Sequence, residues 1–82
     1  MSRDILIGTY KILRKLGAER EEIKPETALK TDLFFDEIDR TCLLFYIESN
    51  FNIDLTEQEE NNLNTVSDIL QVVSNHKTKL LN

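Results

Sequence analysis

Apolar side chains recur along this chain at spacings of three and four, the period of helices that bury one face. Near the start, Ile5, Leu6, Thr9, Ile12, Leu13 and Leu16 share one stripe, which predicts a first helix over about 3–16. Ser2 is placed to cap it. Arg14 and Lys15 crowd its last turn, where the helix dipole favours cations, and Gly17 supplies a left-handed stop. The pattern then breaks. Residues 18–35 read as a long loop in which Pro25 holds Lys24 extended, while Ile23, Leu29 and Leu33 are spaced to pin the segment down. A connection this long in a small domain implies a task, or a short helical turn of its own.

Periodicity resumes over about 37–50, where two apolar stripes appear instead of one. Leu43, Leu44, Ile47 and Phe51 make the first. Ile38, Cys42, Phe45 and Tyr46 make the second, with Glu37, Thr41 and Glu48 between them on one side. Asp36 has the position and chemistry of an N-cap, accepting from the amide of Asp39 or its neighbour. A short third helix is predicted after Thr56, which forms a capping box with Glu59. The last helix begins near Thr65, with Asp68 three residues on, and buries Val66, Ile69, Leu70 and Val73. Residues 77–82 are expected to fray, with Leu80 and Leu81 available to dock. No repeat, low-complexity tract or linker divides the chain, so residues 1–82 read as a single all-α domain, a four-helix bundle with a long first loop.

Charge sharpens the picture. The net charge is −5, but residues 31–76 carry ten acids and one base, Arg40, while the remainder carries nine bases and five acids. An acidic block disfavours nucleic acid, whose binding draws on clustered Lys and Arg. It suits a basic protein surface, or else a solvated face kept for solubility. No apolar run approaches the roughly 20 residues that span a bilayer, and Met1–Asp4 has no leader character, so no membrane association is expected. The lone Cys42 cannot form an internal disulfide, which fits a reducing cytoplasm. A monomer is the expected state.

Three carboxylates, Asp36, Glu37 and Asp39, crowd the start of the second helix. Here the chain resembles the acyl carrier proteins. Their attachment motif is Asp-Ser-Leu at the start of the second helix, preceded by Asp-Leu-Gly and followed by an amphipathic helix. The same frame runs here from Asp32-Leu33 through Asp36-Glu37-Ile38-Asp39 to Leu43, Ile47, Phe51 and Leu55, then on through Thr56-Glu57-Gln58-Glu59 and Leu63-Asn64-Thr65-Val66. Upstream, Ile23-Lys24-Pro25-Glu26-Thr27-Ala28-Leu29 looks like the family's first loop. The likeness covers nearly the whole chain and implies an acyl-carrier-like bundle. It puts Glu37 where the family carries its modified serine, so it implies that 4'-phosphopantetheine is absent and that no cofactor is attached.

Glu37 is open to three readings: a carboxylate that answers the helix dipole, a fixed mimic of the phosphodiester charge, or a group that repels the modifying transferase. The family recognises partners through this helix, which makes Asp36, Glu37, Ile38, Asp39, Thr41, Phe45 and Glu48 the candidate partner-binding residues. Phe34 stands where the family has glycine and tolerates a positive φ poorly, so the turn is expected to differ. Phe34 and Phe35 are expected at the pocket mouth, where they would fill the interior. Cys42 lacks a neighbouring cation to activate it, and His76 sits where a helix dipole welcomes it. Glu57, Glu59 and Glu60 form an acidic turn without metal-site spacing.

No catalytic constellation emerges, and an enzyme is not expected. The first functional reading is a non-pantetheinylated interaction or regulatory module in fatty-acid or polyketide-type synthesis. A carrier proper with an atypical attachment site is the second, and a bundle that binds a free apolar ligand noncovalently is the third.

Overall fold

The computed structural model describes residues 2–80, with side chains through Thr78. Helix α1 spans Arg3–Lys15, α2 Glu37–Phe51, α3 Glu57–Asn61 and α4 Val66–Leu80. Among the described residues there is no strand, so the chain is an all-α four-helix bundle with a long first connection and a short third helix, as expected. Helix α1 begins where Ser2 Oγ accepts from the Asp4 amide at 3.2 Å, and it ends as Gly17 turns left-handed at φ 102°. Asn52, a residue that tolerates this region, ends α2 at φ 55°. Thr56 and Glu59 cap α3 reciprocally, and Thr65 and Asp68 do the same at the entry to α4.

Leu13, Leu43, Ile47, Leu63, Ile69 and Val73 are the most deeply buried side chains, drawn from α1, α2, α4 and the α3–α4 connection. Leu6 departs from the expected stripe: it is 47 % exposed, because it lies at the edge of the α1 face and no element covers it. Gly8 makes the opposite kind of contact. A Cβ there would stand 2.7 Å from Cζ and 2.8 Å from Cε1 of the buried Phe51 ring. Alanine is the better helix former by about 1 kcal/mol, but forcing atoms into a filled site costs about 1–3 kcal/mol. Gly8→Ala is therefore expected to lower stability by about 1 kcal/mol net, read as a lower urea midpoint.

The long loop is stitched down. Arg20–Glu22 form one 3₁₀ turn, the short helical turn its length implied. Thr27, buried, donates its hydroxyl to the Glu22 carbonyl at 2.6 Å and accepts from the Lys24 amide at 3.0 Å. Backbone bonds Leu29 N to Asn64 O (2.9 Å), Val66 N to Thr27 O (3.0 Å) and Ser67 N to Pro25 O (2.9 Å) then clamp the loop to the start of α4. The polar backbone of a crossing segment is thereby satisfied, which a bundle interior requires. Helix α4 continues through 77–80 where fraying was expected, and Lys77 Nζ donates to the Phe51 carbonyl. That bond ties the last turns of α4 to the end of α2. The expected docking of Leu80 and Leu81 falls outside the described side chains.

Candidate functional site

The start of α2 and its outer face hold the candidate site. Asp36 accepts from the Asp39 amide at 2.8 Å, and Asp39 accepts in return from the Asp36 amide at 3.1 Å. This closed capping box sets the entry angle of the helix. The Asp39 amide, above all, holds the Asp36 carboxyl below the usual aspartate value. Glu37, the first helical residue, is exposed and joins Asp36 on the rim of a recess of about 420 Å³. Leu29, Phe35 and Leu43 give the recess its apolar wall, and Lys30 and Arg40 add cations.

The Phe34 turn corrects two expectations. Phe34 does adopt the left-handed conformation, at φ 57°, although its side chain disfavours it. The surrounding hydrogen bonds hold it there: Asp32 Oδ2 accepts from the Ala28 amide at 2.8 Å, and the Asp32 and Leu33 amides donate to the Ala28 carbonyl at 3.0 and 3.1 Å. The Phe35 amide closes the turn onto the Leu29 carbonyl at 3.0 Å. Nor does Phe34 fill the interior. It is 79 % exposed, Phe35 alone packs against the core, and the recess stays open.

A left-handed non-glycine residue costs about 1–2 kcal/mol, and glycine returns part of that gain through chain entropy. Phe34→Gly is thus expected to raise stability by about 0.5–1 kcal/mol, since the ring buries so little. An unchanged or lower melting temperature would show that the ring stabilises the folded chain despite its exposure.

On the outer face of α2, Ile38 is 73 % and Phe45 64 % exposed. Phe45 meets the half-buried Tyr46 edge-on, with ring centres 6.0 Å apart and planes at 61°. Lys15 Nζ lies 4.7 Å from the Tyr46 ring centre, a cation–π contact that fastens α1 to α2. Thr41 is exposed, but its hydroxyl donates to the Glu37 carbonyl at 2.9 Å within the helix. Glu48 is half-buried and accepts from the Leu55 amide at 2.9 Å, so part of its carboxylate serves the α2–α3 connection. Cys42 is half-buried and free.

Two polar links were not foreseen. Arg40 donates from one guanidinium nitrogen to the Leu63 carbonyl at 2.8 Å and from another to the Glu60 carbonyl. The signal was its isolation as the one base within residues 31–76. His76, expected to answer the dipole of its own helix, instead pairs with Glu59 at 2.9 and 3.0 Å. The Thr56 amide first, and His76 second, draw the Glu59 carboxyl below its usual value. Glu59 is therefore a capping and bridging residue. Among the described residues no group of three His, Cys, Asp or Glu is arranged to hold a metal, and no helix is long and apolar enough to cross a membrane.

No family model matches the chain. A curated relative, the acyl carrier protein of Nitratidesulfovibrio vulgaris (strain DP4), is 33 % identical over 64 residues, which cover 78 % of this chain and 84 % of the relative. That extent of identity, joined to a four-helix bundle with a clamped first loop and a capped α2, means that this chain belongs to the acyl carrier protein family.

Proposed function

We propose that this carrier-fold protein works without a prosthetic arm, by protein–protein contact through α2, in fatty-acid or polyketide-type synthesis. The observation that carries the reading is Glu37, a carboxylate at the first position of α2 on the rim of the recess. A phosphopantetheine arm is held as a phosphodiester of a hydroxyl oxygen, and a carboxylate offers no equivalent. The group does not fit the residues present. Thr41, the nearest hydroxyl in sequence, lies one turn inside the helix and is engaged by the Glu37 carbonyl.

What the face offers instead is contact chemistry. Phe34, Ile38 and Phe45 are exposed apolar groups on an acidic segment that includes Asp36, Glu37 and Asp39. Aromatic anchors ringed by charge are the usual makings of a binding hot spot, and the sign selects a basic partner. A strained residue that exposes its ring is also a common mark of a functional surface. The setting is the cytoplasm, with the protein a monomer until it docks.

Intact mass tests the first half of the reading. After incubation with coenzyme A and a promiscuous phosphopantetheinyl transferase, the wild-type mass is expected to stay unchanged; a gain of one arm would overturn the proposal. Phe45→Ala tests the second half. It is expected to leave the fold intact and to weaken capture of a lipid- or polyketide-pathway enzyme by about tenfold or more, measured by surface immobilisation.

A further inference from the structure

Away from α2, a groove of about 360 Å³ lies between α1, the Ile23–Pro25 segment and the first turns of α4. Its walls are apolar: Leu6, Ile7, Ile23, Pro25 and Leu70. Leu6 and Ile7 are large side chains left exposed, so water stands against hydrocarbon here. A volume in the range of roughly 300–1,000 Å³ with apolar walls and a few polar groups is the usual form of a small-molecule pocket.

Three further observations give the ligand a sign and a head. Thr9 also lines the groove, is only 2 % exposed, and its hydroxyl has no hydrogen-bond partner among the described residues. Helical threonines normally return the hydroxyl to the carbonyl four residues back, as Thr41 and Thr78 do here. Thr9 does not, so a polar group at the base of an apolar groove is left to be satisfied. Lys24 stands on the rim. Tyr10, a further lining residue, carries the Arg14 guanidinium against its hydroxyl at 3.5 Å. Lys24 is thus the one charged residue in a lining that is otherwise uncharged.

We propose that this groove binds a small apolar monocarboxylate noncovalently, its hydrocarbon body against Leu6, Ile7 and Leu70 and its carboxylate held by Lys24 and the Thr9 hydroxyl. The site is independent of Glu37 and of the α2 face. A side-chain adjustment accompanies binding, because Thr9 is covered in the free protein.

Sodium octanoate, used below its aggregation threshold, is the probe, and amide and methyl shifts of the full chain are the readout. Saturable shifts are expected at Leu6, Ile7, Thr9 and Leu70, with none from octyltrimethylammonium at the same concentration. Lys24→Gln should weaken octanoate about tenfold, as loss of a charge-assisted contact does. Thr9→Val should weaken it severalfold, and Ile7→Trp, which fills the groove from an exposed position, should abolish binding with the helical spectrum unchanged. Phe45→Ala should bind octanoate as wild type does. Shifts confined to Leu29, Phe35 and Leu43 would place the ligand in the recess by α2 and overturn the proposal. So would equal binding of the cationic probe, octanoate affinity unchanged in both Lys24→Gln and Thr9→Val, or non-saturable shifts of the kind a lipid surface gives.

Discussion

Glu37→Ser is expected to gain the mass of one arm from a promiscuous phosphopantetheinyl transferase, where the wild type is expected to gain none. The effect is all or none because it supplies the missing atom, a hydroxyl oxygen at the first position of α2. The surroundings favour success. The capping box between Asp36 and Asp39 fixes the backbone independently of residue 37, and the side chain at 37 is already exposed on the recess rim. The structural cost is small: a carboxylate in the first turn is worth about 0.3–1 kcal/mol to the helix dipole, and serine forgoes that. Intact mass after incubation with coenzyme A decides the matter, with wild type alongside. Modified variant and unmodified wild type would mean that the transferase still recognises the face and that Glu37 alone blocks the chemistry. If the folded variant stays unmodified, recognition has been lost elsewhere. Phe34 is then the first suspect, because its exposed ring stands three residues from the attachment position.

Phe34 also shows where sequence reasoning reaches its limit. Helix positions were legible because each start carries its own chemistry: Ser2, Asp36, Thr56 and Thr65 all cap as their side chains dictate. The exposed flank of α2 was legible too, since two stripes cannot both face one core, and Ile38 and Phe45 are the ones left outside. The turn at Phe34 was not. The residue's own preference argues against a left-handed phenylalanine, and the loop's hydrogen bonds among Ala28, Leu29, Asp32, Leu33 and Phe35 override it. Leu6 failed for a related reason. Periodicity assigns a face to a helix but does not say how far the neighbours extend over it, and here α4 and the loop stop short and leave a groove. Glu48 and Arg40 were hidden because their partners are backbone groups 7 to 23 residues away, which no side-chain pattern reports.

Arg40 carries the second large expected effect. Arg40→Met keeps most of the aliphatic stem yet removes both bonds to the carbonyls of Leu63 and Glu60. Each hydrogen bond from a charged donor contributes about 1.5–3 kcal/mol, and methionine restores part of the packing, so the expected loss is about 2–3 kcal/mol. At roughly 0.05–0.15 kcal/mol per residue the whole domain holds on the order of 4–12 kcal/mol, which makes this loss a large share. Urea titration should show a lower midpoint with an unchanged slope. Arg40→Lys should recover only part of it, because one ammonium cannot reproduce the guanidinium's fixed fork to two acceptors. The loss should also be uneven in space. Arg40 fastens α2 to the connection after α3, a helix of only five residues that depends on such links, so amides over 57–66 should exchange faster than those of α1. A loss below about 1 kcal/mol with uniform exchange would mean that water satisfies those carbonyls as well as Arg40 does. In that case α3 would be held by Leu63 packing and the Glu59–His76 pair instead, and Arg40 would be free to serve the recess whose wall it forms.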